Sequence, residues 1–199
     1  ATQFESHHAR EAFPCVDEPE AKATFAISIL SNEPVVLSNM PVVSQQESSE
    51  GTLTAFEQTP RMSTYLAAFV AGDLQRATTA TKSGVEVNVY ATPAQSADSL
   101  NWALQHAAQT IDFFDEYFGV PYPLPKSDHI ALPDFSSGAM ENWGLITYRE
   151  VALLADPATA SVSSKQYIAT VIAHELSHQW FGNLVTMKWW NDSTKVSPR

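Results

Sequence analysis

The chain has 199 residues, of which 44% are hydrophobic and 17% charged, and its net charge is -11 with a pI of about 4.8. This composition supports a buried core and argues against disorder, and the acidic balance argues against a nucleic-acid partner, because phosphate binding needs a basic face. Cys15 is the single cysteine, so an internal disulfide is excluded and we expect a cytoplasmic location. No apolar run is long enough for a membrane segment. Since the chain starts at Ala1 and enters patterned sequence at once, we expect an internal piece of a longer protein.

Residues 1–92 are predicted to be mostly β-structure. Alternating or β-branched runs at 23–30, 52–58, 63–70 and 85–91 are separated by the turn-prone stretches SNEP, SNMP, ESSEG and KSG. The pairing of these strands does not follow from the pattern.

After residue 92 the spacing of the apolar residues changes from that of strands to that of a helix. Apolar residues recur at intervals of three and four over 97–118, which predicts an amphipathic helix that ends at Gly119. Two strands are predicted at 128–132 and 145–149, and a second helix at 165–181 with Gln166 helping to cap it. We therefore divide the chain into a β-rich part, 1–92, and an α/β part, 93–199.

The second helix carries the sequence HELSH. His174 and His178 are four residues apart, so both imidazoles project from one helix face and can share a metal ion. Glu175 can act as general base on a water molecule that a bound zinc ion activates. The pattern indicates a zinc hydrolase, and chance spacing on a solvated helix face is the simpler alternative.

Three further motifs accompany HELSH in the chain: TQFE at 2–5, GAMEN at 138–142 and GNLVTMKWWND at 182–192. In this order the set resembles the zinc aminopeptidases of the aminopeptidase N family, over nearly the whole chain. The resemblance implies an α+β protein: the C-terminal part of an N-terminal β-saddle domain, then the first part of a thermolysin-like α/β catalytic domain. It also implies peptide substrates with a free N-terminus.

The resemblance assigns a role to each motif residue. It makes His174 and His178 zinc ligands and Glu175 the general base. It places Glu141 and Glu5 on the substrate's N-terminal ammonium, which suits a desolvated positive charge. The other residues that it assigns to substrate binding are Gln3, Gly138, Ala139 and Met140.

One expected residue is missing. The family pattern places a third zinc ligand, a glutamate, at position 197, where this chain has Ser197 in the divergent run STKVS. A neutral hydroxyl is a poor substitute for a carboxylate on zinc. Three hypotheses therefore stay open: a zinc aminopeptidase, an impaired fragment that binds zinc or peptide weakly, and a site that a complementing chain or an oligomer completes.

Overall fold

The computed structural model describes residues 1–192, and the chain folds as the predicted α+β protein. The first strands are β1 (Lys22–Ala23), β2 (Ser28–Ser31), β3 (Val35–Ser38), β4 (Val42–Ser48), β5 (Gly51–Phe56), β6 (Met62–Ser63) and β7 (Phe69–Gly72). The later strands are β8 (Gln75–Ala80), β9 (Glu86–Ala91), β10 (Lys126–Leu132), β11 (Ala139–Met140) and β12 (Leu145–Arg149). The helices are α1 (Ala9–Ala12), α2 (Asn101–Phe118) and α3 (Val162–His178).

Small antiparallel sheets form the first part of the chain: β1 with β6, β3 with β7, and β2–β5–β4. The segment 23–30 was predicted as one strand but is divided, because β1 and β2 pair with different strands. The segment 63–70 is divided as well, by a 3₁₀ turn at Thr64–Leu66. The alternation of apolar residues therefore located the β-structure but not its breaks.

A five-stranded sheet with the order β11–β12–β10–β9–β8 forms the centre of the molecule. Strand β10 pairs in parallel with both β9 and β12, and every residue of β10 is buried, as is typical of central parallel strands. Strands β8 and β9 come from the part of the chain before residue 92. The division into 1–92 and 93–199 stays a prediction.

Helix α2 lies against β8, β9 and α3, and ends at Gly119 as predicted. Gly119 has a φ of 64°, the left-handed conformation that glycine adopts at little cost. Helix α3 begins earlier than predicted, because the Ser161 hydroxyl caps it by accepting the Ser164 N–H at 3.0 Å. The predicted capping by Gln166 is wrong, and the helix ends at His178 instead of residue 181. Among residues 1–192 no helix is long and apolar enough to cross a membrane.

A buried ion pair joins the two parts of the chain. The Lys126 ammonium donates to the Asp128 carboxylate at 2.6 Å, to the Ser38 carbonyl at 2.9 Å and to the Gly144 carbonyl at 2.8 Å. The other Asp128 oxygen accepts from the Asn88 amide at 2.9 Å. Because each donor and acceptor is satisfied, this pair avoids the cost of an unpaired buried charge. It ties the end of β3 to the turn that precedes β12.

Beside Lys126 on the same sheet, His129 is fully buried. Its ring nitrogens lie 3.1 Å from the Ser127 hydroxyl and 2.9 Å from the Tyr148 hydroxyl. Burial, and then the positive charge of Lys126, lower the pKa of His129 from 6.5 to about 3. The folded chain therefore holds this imidazole neutral at pH values where the unfolded chain protonates it.

This difference predicts a pH-dependent stability. Between pH 6.5 and 3 the unfolded chain binds one proton more at His129, so the free energy of unfolding falls as the pH drops, by about 1.4 kcal/mol per pH unit. Urea unfolding at pH 7 and pH 5 should show that the stability advantage over His129→Gln shrinks by about 2 kcal/mol at the lower pH. The matched control is His106→Gln, on α2. An advantage over His129→Gln that is the same at both pH values would contradict the buried neutral state.

Candidate active site

The last turn of α3 brings two imidazoles together. The Nε2 atoms of His174 and His178 lie 3.1 Å apart, with the ring planes at 84°. The Nδ1 atom of His178 lies 3.0 Å from the Phe181 carbonyl oxygen. Because a carbonyl only accepts, Nδ1 carries the proton, and in the neutral ring Nε2 keeps its lone pair towards His174.

These two imidazoles fit a zinc ion. Two nitrogen ligands of a tetrahedral Zn²⁺, each about 2.0–2.1 Å from the metal, lie roughly 3.3 Å apart, and the observed Nε2–Nε2 separation is 3.1 Å. Among residues 1–192 no group of three or more His, Cys, Asp or Glu side chains is placed to hold a metal. Position 197, where a third ligand was expected, lies outside the described residues. Within the described residues, the pair formed by His174 and His178 is therefore what the site offers to a metal.

The GAMEN segment forms one edge of the five-stranded sheet. Within it, β11 pairs antiparallel with β12, and the Gly138 carbonyl accepts the Arg149 N–H at 2.9 Å. Strand β11 is the terminal strand of the sheet in the part that the structure describes. The side chain of Met140 is buried, whereas Gly138 is exposed. An edge strand of this kind can align an extended peptide through backbone hydrogen bonds.

The chain segment that follows α3 holds the backbone of Glu141. The Asn183 side-chain amide donates to the Glu141 carbonyl at 2.9 Å, and the Gln179 amide donates to the same oxygen at 3.4 Å. Both donors are fully buried. The GAMEN glutamate is therefore positioned directly by the residues that follow the two histidines.

The TQFE segment reaches the same region from the start of the chain. The Gln3 amide donates to the Glu5 carboxylate at 2.8 Å and to the Ser137 hydroxyl at 3.2 Å, and Ser137 donates to the same carboxylate oxygen at 3.2 Å. Glu5 has a φ of 47°, a left-handed conformation that is unusual and costly for a residue with a side chain. Phe4, which is buried, anchors the segment.

The charges of two further carboxylates, Glu141 and Glu5, act on Glu175. Glu175 is only 6% exposed, and one of its carboxylate oxygens is buried without a hydrogen-bond partner. Burial, and then the negative charges of Glu141 and Glu5, raise the pKa of Glu175 to about 9. A cation bound among these groups would offset their repulsion. The site therefore favours a positively charged ligand.

The structure thus brings together the residues that sequence motifs singled out: His174 and His178 as a pair, and Glu175, Glu141 and Glu5 as interacting carboxylates. Sequence reasoning missed Ser137, Gln179 and Asn183, which hydrogen-bond to the motif residues. Gln179 could have been noticed, since it lies one helical turn after Glu175 and shares its face. Ser137 and Asn183 lie in loops, where spacing gives no such indication.

Two family models, both of peptidase family M1, match this chain. The Peptidase family M1 domain matches residues 102–194, and the Peptidase M1 N-terminal domain matches residues 1–66. Aminopeptidase N of Lactococcus lactis subsp. cremoris is 58% identical over 194 residues, which cover 96% of this chain and 22% of that relative. The endoplasmic reticulum aminopeptidase 1 of Homo sapiens is 53% identical, and the puromycin-sensitive aminopeptidase of Caenorhabditis elegans 52% identical, each over 195 residues, 96% of this chain and 20% of the relative. The chain therefore spans about a fifth of the length of these relatives.

Gly182, in the loop after α3, lies close against the His178 ring. Gly182 has a φ of 135°, and a methyl group there would lie 3.0 Å from Nδ1 of His178. We expect Gly182→Ala to displace this ring and to lower the free energy of unfolding of metal-free protein by about 1–3 kcal/mol more than its control does. The control is Gly84→Ala, which has a φ of 89° and no atom within 4 Å of the added methyl. Equal losses in urea unfolding would show that the imidazole contact is not tight.

Proposed function

Because the chain belongs to peptidase family M1, we propose that it carries the metal-binding and amine-binding parts of a zinc aminopeptidase site. The observation that supports this most is the meeting of three motifs: a pair of converging imidazoles, the Glu175 carboxylate between them in sequence, and the carboxylates of Glu141 and Glu5 close enough to raise its pKa. Carboxylates beside the general base that are not needed as metal ligands suit the binding of a free N-terminal ammonium, since a partly desolvated positive charge needs a negative partner.

The metal part of the proposal rests on His174 and His178 as ligands of Zn²⁺. Zinc held there would make a water molecule acidic enough to act as a nucleophile near neutral pH. Glu175 would serve as the general base, which takes up a proton and passes it to the leaving amine. Its raised pKa favours holding a proton, and a bound cation would lower that pKa towards the range in which a general base works.

The substrate part of the proposal assigns the N-terminal ammonium of a peptide to Glu141 and Glu5. Gln3 and Ser137 orient the Glu5 carboxylate through the bonds already described. Strand β11, which is terminal in the sheet within residues 1–192, would pair at Ala139 with the extended substrate backbone, and Met140 would lie beneath the first substrate residue. Such an arrangement excludes a blocked N-terminus, since two carboxylates would then be left without a partner.

A second candidate follows from the small number of metal ligands. Residues 1–192 supply two, and two imidazoles alone bind zinc weakly. The chain could then be an impaired fragment that binds zinc or peptide weakly, or could obtain a third ligand from a complementing chain or an oligomer. We propose a cytoplasmic location for either form, on the absence of an internal disulfide.

The ammonium site is tested by Glu141→Gln, which keeps the shape of the side chain and removes its charge. We expect the KM for a chromogenic amino-acid anilide to rise about 10–100-fold, the loss of one buried charge pair being worth several kcal/mol at most. The control is Glu47→Gln on the exposed strand β4. An unchanged KM would remove Glu141 from the amine site.

The general base is tested by Glu175→Gln, with zinc content measured by elemental analysis on the same samples. We expect turnover to fall by at least about 10²–10⁴-fold, the usual contribution of a general base, while the zinc content stays as in the unaltered chain. Zinc that is absent from the unaltered chain, together with no turnover, would favour the impaired fragment. Turnover that survives the substitution would contradict the role of Glu175.

A further inference from the structure

Asn39, just after β3, makes three hydrogen bonds to backbone groups. Its side-chain amide donates to the carbonyls of Leu66 and Trp143, both at 2.8 Å, and its side-chain oxygen accepts the Ala68 N–H at 2.9 Å. Asn39 is 1% exposed. It therefore joins the region of the N-terminal sheets to the turn at residues 143–144, directly after GAMEN, and Trp143 is 104 residues away in the sequence.

Neither a carboxylate nor an apolar side chain can replace this amide. Its two N–H donors and its single acceptor all have partners, so a carboxylate would face two carbonyl oxygens and an apolar side chain would leave three backbone groups unsatisfied. The backbone at Gly144 packs closely against the backbone of Asn39. Gly144 has a φ of 79°, and a methyl group at that position would overlap the Asn39 carbonyl oxygen. The fit between Asn39 and the 143–144 turn is thus a specific one.

The same turn is linked to the candidate site at its other end. Two residues before Trp143, the Glu141 carbonyl is held by the amides of Asn183 and Gln179. Asn39 and Lys126 hold the carbonyls of Trp143 and Gly144. The segment from 141 to 144 is therefore fixed on one side by residues that follow α3, and on the other by Asn39 and Lys126.

We propose that Asn39 is a positioning residue for substrate binding, which sets where Glu141 lies by fixing the backbone two residues after it. Asn39 does not touch the substrate. It acts through the Trp143 carbonyl, and a shift of this carbonyl moves the Glu141 carboxylate relative to the two histidines. This inference rests on the proposed role of Glu141 as the ammonium ligand.

Hydrogen exchange on the 199-residue chain tests the positioning without the need for activity. Two backbone amides report on the turn: the Leu145 N–H donates to the Asn142 carbonyl, and the Asp128 N–H donates to the Gly144 carbonyl, both at 3.1 Å. Asn39→Asp keeps the size of the side chain and the acceptor but removes both donors. We expect it to speed exchange of these two amides at least about tenfold, since they are then protected by a turn that opens more easily, while amides between β8 and β9 stay unchanged.

The matched control is Ser38→Ala. The Ser38 hydroxyl is buried and lies next to Asn39, and its hydrogen bond, at 2.9 Å, goes to the Ala68 carbonyl and not to the 141–144 segment. Equal effects of Ser38→Ala and Asn39→Asp on the two amides would overturn the proposal, as would fast exchange of both amides in the unaltered chain. If Asn39→Asp does not fold, Gly144→Ala opens the same contact from the loop, with Gly84→Ala as its control, and the same outcomes decide.

Turnover separates this inference from the proposed function. With an amino-acid anilide, Asn39→Asp is expected to raise KM about tenfold with little change in kcat, and Ser38→Ala is expected to change neither. A fall in kcat alone, or the same KM change in both variants, would contradict a positioning role. If the unaltered chain shows no turnover, the proposed function fails for this chain, and the exchange rates still decide whether Asn39 fixes the turn.

Discussion

The hydrogen bonds to the backbone carbonyl of Glu141 are the constraint on which the rest of the candidate site depends. They come from Asn183 and Gln179, which follow the histidines of α3, and they fix Glu141 of the GAMEN segment to the end of α3. These bonds are made to the backbone of Glu141 and do not occupy its carboxylate. The distance between the carboxylate proposed to bind an amine and the imidazoles proposed to bind a metal is thus set by residues with no proposed part in the chemistry.

Electrostatics then determine what the site can accept. Burial, and then the negative charges of Glu141 and Glu5, raise the pKa of Glu175, and one Glu175 oxygen is buried without a protein partner. Such a group is costly unless a cation or a proton joins it. Zinc near the two imidazoles, or an ammonium near Glu141 and Glu5, would relieve this cost.

The motifs could be read from the sequence because their chemistry depends on fixed local spacing. His174 and His178 share a face at one helical turn, and Gly119 ends α2 as predicted. The first residue of α3 could not be inferred from the sequence, because Ser161, Ser163 and Ser164 can each cap a helix. The hydrogen bond from the Ser164 N–H to the Ser161 hydroxyl decides between them. The roles of Asn39 and Ser137 could not be inferred at all, since their partners are distant in sequence and are backbone or loop groups.

Glu141 and Glu5 are proposed to give this chain its recognition of the free N-terminal ammonium of a peptide. It is tested most directly by isothermal titration of the zinc-supplemented chain with a tripeptide and with the same tripeptide acetylated at its N-terminus. Loss of a buried charge pair worth about 3 kcal/mol corresponds to about a hundredfold in affinity, so the free peptide is expected to bind about a hundredfold more tightly. Equal affinities for the two peptides would contradict the assignment of Glu141 and Glu5 to the amine.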